Sequence, residues 1–439
     1  MHHLTSAELD AHWMPFTANR QFKQDPRLIV KAEGTWLYDH VGRKLFDGLS
    51  GLWCCGLGHT RPEISQAVAA QVGTLDYSPG FQVGHALSFQ LAKQLTDQAP
   101  QGLNHVFFTG SGSESADTSL KIARAYWRVK GQANKTRLIG RIKGYHGVNF
   151  GGVSVGGIVG NRKLFGATLE TDHLNHTWRA EAAFSKGMPT EGAHFANELE
   201  EMIGLHDASN IAAVIVEPIA GSAGVIVPPQ GYLKRLRELC TQHNILLIFD
   251  EVITGFYRTG EFYGSTTFGV KPDMINLAKG VTNGAIPMGA VIVTDEIYQT
   301  FMQQNLPEHV VEFPHGYTYS AHPVACAAGL AAMECYKKDN TRAQVQALAP
   351  YFEELIHSLK GLPHLEDIRN FGLAGALQLQ ARNGDALIRP REVFEYCWDK
   401  GAYVRYGGNT IQLAPAFITD KTDLAEMFNI LSDALNAVQ

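Results

Sequence analysis

The sequence predicts an α/β protein: a mostly parallel central sheet with helices on both faces, joined to a smaller α+β domain. Three observations carry this. Two apolar runs, ILLIF at residues 245–249 and MINLA at residues 274–278, are short and bounded by chain breakers. That is the pattern of strands buried on both faces. A glycine-rich turn, TGSGSESAD, joins a short apolar run at residues 106–108 to a long helical pattern reaching about residue 129. Finally, 439 residues exceed the size at which one core usually keeps growing, so more than one domain is expected.

Composition narrows the function classes. Hydrophobic residues make up 45% of the chain, with 44 glycines for tight turns. Net charge is −6, from 37 basic and 43 acidic residues without a long single-sign run, which speaks against nucleic acid or an anionic membrane as partner. No stretch approaches transmembrane length. The opening MHHLTSAELDAHWMPF has no basic region followed by an apolar one, so no secretory leader is expected. Cys54, Cys55, Cys240, Cys326, Cys335 and Cys397 show no CxxC spacing. They read as reduced, buried thiols of a cytoplasmic protein, and no metal site is expected.

Taken in order, residues 1–60 read as an arm and a small meander belonging to the small domain. GTWLYDHVGRKLFDGLSGLW alternates around a turn at residues 39–42. Residues 61–335 form the large domain, with helices near residues 62–72 and 86–98 and the loop LDYSPGFQVGH between them. The strand at residues 106–108 and the glycine-rich turn follow; such a turn presents backbone N–H groups and a positive helix end to an anion. A nicotinamide-binding turn would place an acidic residue about 20 positions on; residues 141–143 are basic there. A strand at residues 138–142 leads to GYHGVNFGG, which carries Tyr145 and His146. Residues 151–195 have no clear period and read as irregular. A helix at residues 193–203, a strand ending at Glu217 and a helix at residues 232–242 lead back to the first apolar run. After Lys279 come a loop, one more strand and a small-residue helix from Pro323. Residues 336–439 form the small domain, with helices near residues 343–359 and 390–400 and strands at residues 374–379, 402–405 and 410–413.

The chemistry rests on the two strand ends. The first run delivers Asp250 and the second Lys279, and in an open α/β sheet ligands collect at such carboxyl ends. A lysine that joins an aldehyde cofactor, and a carboxylate that pairs with a ring nitrogen, are what pyridoxal phosphate needs. Singly, Asp250 is as well read as a helix cap, and Lys279 as a solvated side chain. The longer string decides: DEVITGFYRTG, then a strand and A-K-G, resembles the signature of class III (subgroup II) pyridoxal-phosphate-dependent aminotransferases. The resemblance runs from about Trp13 to Phe417.

That resemblance implies the fold type I of pyridoxal-phosphate enzymes, and pyridoxal 5'-phosphate bound on Lys279 with Asp250 at its ring nitrogen. It implies Ser111, Gly112 and Ser113 at the phosphate, and Tyr145 and Val252 on the ring's two faces. His146 and Glu217 stand nearby, and Thr318 reaches the phosphate of a neighbouring subunit. Phe16, Leu52, Trp53, Phe81, Tyr145 and Arg405 are the implied substrate pocket, with Arg405 matching a mobile carboxylate-binding arginine. Family members acting on 4-aminobutyrate or ornithine derivatives with 2-oxoglutarate often carry an arginine after the aromatic-His-Gly triplet; here that residue is Val148. TNGAIPMGA and LWCC resemble the omega-amino acid:pyruvate subgroup instead. The expectation is therefore a ping-pong transfer from β-alanine, or another primary amine, to pyruvate, in a homodimer or dimer of dimers with shared sites. A same-fold aminomutase or decarboxylase, a transaminase for another omega-amino acid, and a nucleotide-binding α/β protein that leaves Lys279 idle are the alternatives.

Overall fold

The computed structural model describes residues 4–166 and 168–438. Residues 1–3, where the opening stretch begins, Ala167 within the region read as irregular, and Gln439 lie outside them. Near the N-terminus, β1 (Ile29–Glu33), β2 (Trp36–Asp39) and β3 (Lys44–Asp47) form an antiparallel meander. The Asp39 carboxylate closes its turn by accepting from the N–H groups of Val41 and Arg43.

The central sheet holds β4 (Leu103–Thr109), β5 (Arg137–Arg141), β6 (Thr171–Leu174), β7 (Ile211–Val216), β8 (Leu246–Asp250), β9 (Met274–Leu277) and β10 (Gly289–Thr294). Their order is β4-β10-β9-β8-β7-β5-β6. β6, β5, β7, β8 and β9 pair in parallel, and only β10 runs antiparallel to its neighbours β9 and β4. Every residue of β7, β8 and β9 is buried, because helices such as Gly112–Val129 and Tyr232–Gln242 cover the sheet. This is why the two apolar runs are continuous and not alternating.

A third sheet is built from β11 (Leu365–Phe371), β12 (Ala374–Leu379), β14 (Arg405–Gly407) and β15 (Thr410–Leu413) in the antiparallel order β11-β12-β15-β14. The two-residue β13 (Ala402–Tyr403) pairs in parallel with β3, so the first meander and the last hundred residues share a sheet.

Several elements depart from the sequence reading. Residues 151–195 contain the helices Phe150–Val155 and Val159–Arg162, strand β6 and 3-10 turns. The helix expected at residues 193–203 is split into a 3-10 turn, Ala193–Asn197, and the helix Glu198–His206. Cys54 and Cys55 are half-buried, in contrast to the four other free thiols; the reading of six buried cysteines is corrected for these two. They lie outside the strands and helices, in a loop flanked by Gly51 and Gly56. Among the described residues no helix is long and apolar enough to cross a membrane, and no cluster of three or more His, Cys, Asp or Glu is placed to hold a metal.

Candidate active site

Four parallel strands bring their carboxyl ends to one cleft. β7 runs into Glu217, β8 ends in Asp250, and β9 is followed by Ala278 and Lys279, while the loop after β5 supplies Tyr145, His146 and Gly147. The helix Gly112–Val129 meets the same edge with its N-terminus. Of the residues predicted to hold a cofactor, Gly112, Ser113, Tyr145, His146, Glu217, Asp250, Val252 and Lys279 line a cavity of about 130 Å³ here. Gly147, Ile253 and Ala278 complete its wall. They carry no chemistry that a sequence reading would single out; Ile253 lies next to Val252 in the signature.

Asp250 is held from two sides. Its Oδ2 accepts from His146 Nδ1 at 2.8 Å and its Oδ1 from the Val252 N–H at 3.2 Å. The second ring nitrogen of His146, Nε2, is buried without a partner among the described residues. Glu217 holds backbone on both oxygens: Oε1 accepts from the Tyr145 N–H at 2.9 Å and Oε2 from the Gly221 N–H at 3.0 Å. Burial pushes its carboxyl up to about 7; the adjacent Asp250 adds to this, while His146 and the Tyr145 N–H oppose it.

Lys279 takes the left-handed backbone conformation, φ +50°, directly after the extended Ala278. A non-glycine residue holds that strain only where its surroundings fix it. Gly280 supplies the fixing: a Cβ there would lie 2.8 Å from the Phe256 ring, so the chain after the lysine is packed tightly against the signature loop. Burial lowers the Lys279 ammonium below the usual lysine range, against the opposite pull of Cys54, Asp250 and Glu217.

The glycine-rich turn is closed by its own side chains. Ser111 Oγ accepts from the Glu114 N–H at 3.2 Å, and Glu114 Oε2 accepts from the Gly110 N–H at 2.6 Å. Ser111 is thus the N-cap, and its hydroxyl does not line the cavity. Ser113 Oγ accepts from the Val148 N–H at 3.1 Å and so ties the turn to the Tyr145 loop. The first-turn N–H groups of Gly112 and Ser113 are left at the positive end of an 18-residue helix.

The predicted substrate residues are not among those lining this cavity, Tyr145 excepted. Arg405 opens β14, its guanidinium has no hydrogen bond or ion pair among the described residues, and its charge is felt at Tyr145 and Lys279. Trp53 is buried at φ +65° in one apolar cluster with Ile219, Ile253 and Ala414. Leu52 and Phe81 are exposed, and Phe16 is 75% exposed. Thr318 is exposed as well, its carbonyl accepting from Tyr77 Oη at 3.1 Å.

Comparison with known proteins bears on this arrangement. The sequence model of the class-III aminotransferase family matches residues 17–435. An omega-amino acid–pyruvate aminotransferase of Pseudomonas putida is 63% identical over 431 residues, covering 98% of this chain and 96% of the relative. A β-alanine–pyruvate aminotransferase of Pseudomonas aeruginosa is 62% identical over 436 residues, covering 99% and 97%. Among solved structures, an amine transaminase from an uncultivated Pseudomonas species in its PLP-bound form superposes with a TM-score of 0.88 at 34% identity, covering 97% of this chain and 98% of that one.

The residues present fit pyridoxal phosphate. Its phosphate would find the Gly112 and Ser113 N–H groups, where a Cβ on residue 112 would stand 3.2 Å from both Val252 methyls and crowd the cradle. A buried carboxylate braced by His146, an apolar Val252 and an amine, Lys279, complete the donor set.

Proposed function

The chain belongs to the class-III aminotransferase family, and from that premise we propose that it moves an amino group from β-alanine, or another primary amine, to pyruvate in a ping-pong cycle. Aminotransferases of this class depend on pyridoxal 5'-phosphate, which supplies an aldehyde to take up the amine and a ring that accepts electrons. The remaining work falls to side chains. Lys279 would hold the cofactor through Nζ, and the same amine is placed to carry the proton that is moved in each half-reaction. Asp250, braced by His146, keeps a proton on the ring nitrogen. Glu217 fixes Tyr145 through its backbone N–H, so that the ring has a set place in the cleft. Gly112 and Ser113 hold the phosphate.

The observation that supports the substrate choice is Arg405. Its guanidinium has no partner among the described residues and bears on both Tyr145 and Lys279. A free planar fork suits a small carboxylate such as that of pyruvate or β-alanine. Val148, where a second cation would serve larger dicarboxylates, offers none. The two relatives at 62–63% identity are named for the same substrates.

In this reading residues 61–335 are the cofactor-bearing domain, and residues 1–60 with 336–439 form the smaller one. The protein works in the cytoplasm, consistent with its free thiols. It acts as a homodimer, or a dimer of such dimers, with Thr318, Phe16 and Phe81 serving the neighbour's cleft. Apolar side chains as exposed as Trp13 (88%) and Leu164 (79%) support an interface of that kind.

The test is Arg405→Ala. A charge-assisted hydrogen bond contributes about 1.5–3 kcal/mol, so kcat/KM for pyruvate and for β-alanine should fall about ten- to a hundredfold. A primary amine without a carboxylate does not need the guanidinium. Its half-reaction, followed in single turnover, should change by no more than about 0.5 kcal/mol. Equal losses for both kinds of substrate would make Arg405 structural and withdraw the β-alanine assignment.

A further inference from the structure

Two charged residues of DEVITGFYRTG, Glu251 and Arg258, have no task in the chemistry above. Arg258 is 2% exposed, and no carboxylate lies within ion-pair distance among the described residues. Its guanidinium donates instead to three oxygens from other parts of the chain. Nη1 reaches the carbonyls of Leu373 at 3.0 Å and Pro415 at 2.7 Å, and Nη2 reaches Ser50 Oγ at 3.0 Å. The cation lies 4.6 Å from the centre of the Phe417 ring and 6.0 Å from that of Trp53. Its backbone also takes part, since the Arg258 carbonyl accepts from the Leu373 N–H at 3.1 Å. The approach is so close that a Cβ on Gly372 would stand 2.5 Å from that carbonyl.

Burying a guanidinium without a counter-charge is costly, and an apolar side chain would fill the same volume more cheaply. The three acceptors are what require a forked donor here. Two of them, on Ser50 and Pro415, belong to the parts of the chain that carry the expected substrate groups. Pro415 lies two residues beyond β15, which pairs Gln412 with Arg405 on β14. Ser50 opens a strained segment in which Ser50, Gly51 and Trp53 all have positive φ, at +44°, +71° and +65°. Such backbone persists only when over-determined. Asp47 holds one side of it, accepting from the N–H groups of Leu49 at 3.0 Å and Gly51 at 2.6 Å, and Arg258 holds the other.

We propose that Arg258 is a positioning residue of the transamination: it fixes the walls carrying Trp53 and Arg405 relative to the loop that leaves Asp250. It therefore governs the fit of the substrates and not the capture of the cofactor. This rests on the aminotransferase reading, but not on which amine is the donor.

The test compares Arg258→Met, Arg258→Lys and Ser50→Ala with the parent enzyme, loaded with cofactor, on whichever donor and acceptor the parent turns over. Arg258→Met should raise KM for both substrates about tenfold or more, the loss of hydrogen bonds to a charged group. The dissociation constant of the cofactor and its bound absorbance should stay within about twofold of the parent. Arg258→Lys, keeping the charge but not the fork, should recover part of the KM. Ser50→Ala removes one acceptor only and should shift KM in the same direction by less; it decides the matter if Arg258→Met fails to fold. Unchanged KM in Ser50→Ala and Arg258→Lys overturns the proposal. So does a cofactor affinity that falls in step with KM and does not recover with lysine, because that marks a general packing role. An inactive parent, by contrast, counts against the aminotransferase reading itself.

Discussion

Both oxygens of the Glu217 carboxylate are taken by backbone N–H groups, yet burial still outweighs them and raises its pKa to about 7 from an ordinary 4.5. The consequence for the cofactor-free protein has a definite sign. Between about pH 4.5 and 7 the unfolded chain releases this proton while the folded chain keeps it, so the unfolded state binds fewer protons and stability falls as pH rises. The loss is complete above pH 7. Glu217→Gln does not titrate. Its stability relative to the parent, measured by urea unfolding of both apo-proteins, should therefore rise by about 1–3 kcal/mol between pH 4.5 and 8. A difference that stays constant across this range would place the proton elsewhere. In the sequence Glu217 showed only as an acid at a strand end, like Asp250. Each has one local backbone partner; what separates the two is the other, which comes from chain more than 70 positions away: Tyr145 for Glu217 and His146 for Asp250.

The glycine-rich turn shows the same dependence among whole elements. Its shape is set by hydroxyls and by the strands beneath. Thr109 and Ser115 share a hydrogen bond of 2.8 Å, and Ser115 Oγ also reaches the Leu277 carbonyl of β9 at 3.0 Å. Gly289, at the start of β10, leaves room for this. A Cβ there would stand 2.5 Å from Thr109 Oγ1 and 2.6 Å from both the Ser111 carbonyl and Ser115 Oγ. Gly289→Ala should keep the far-ultraviolet dichroism of the fold. Overpacking of roughly 1–3 kcal/mol delivered to the turn should weaken cofactor binding by about tenfold or more, read by equilibrium titration. Gly73→Ala, in a helix with open space around it, should leave binding unchanged. Equal affinity in the two variants would free the turn from this constraint. The strands flanking the site were legible because burial on both faces leaves a continuous apolar run, and the helix Tyr232–Gln242 was legible from its own pattern. Residues 151–195 were not, because their short pieces are held by distant groups: Trp178 Nε1 and the Phe184 N–H both donate to Asp367. The C-terminal helix Lys421–Ala437 is a different case. Leu424, Met427, Phe428, Leu431 and Leu435 trace a buried stripe that is present in the sequence and was not read.

At the scale of the molecule, four of the expected contributors that do not line the cleft are exposed on the surface of one chain: Phe16, Leu52, Phe81 and Thr318. Phe81 and Thr318 are neighbours across one surface, since a Cβ on Gly316 would lie 2.7 Å from the Phe81 ring and Tyr77 donates to the Thr318 carbonyl. A two-fold dimer that brings this surface to the partner's helix Gly112–Val129 would complete both clefts with one isologous contact. Subunit exchange tests it. Lys279→Ala and Thr318→Ala chains are each defective, the first in turnover and the second in holding cofactor at limiting concentration. If Thr318 serves the neighbour, a mixed dimer collects both lesions in one cleft and leaves the other with an intact Lys279 and an intact Thr318. After exchange at equal concentrations, roughly a quarter of all clefts should then regain the cofactor affinity and turnover of the parent. If Thr318 serves its own chain, each cleft of the mixed dimer keeps one lesion. Mixing then gives only the average of the two parents, and the shared-site dimer has to be given up.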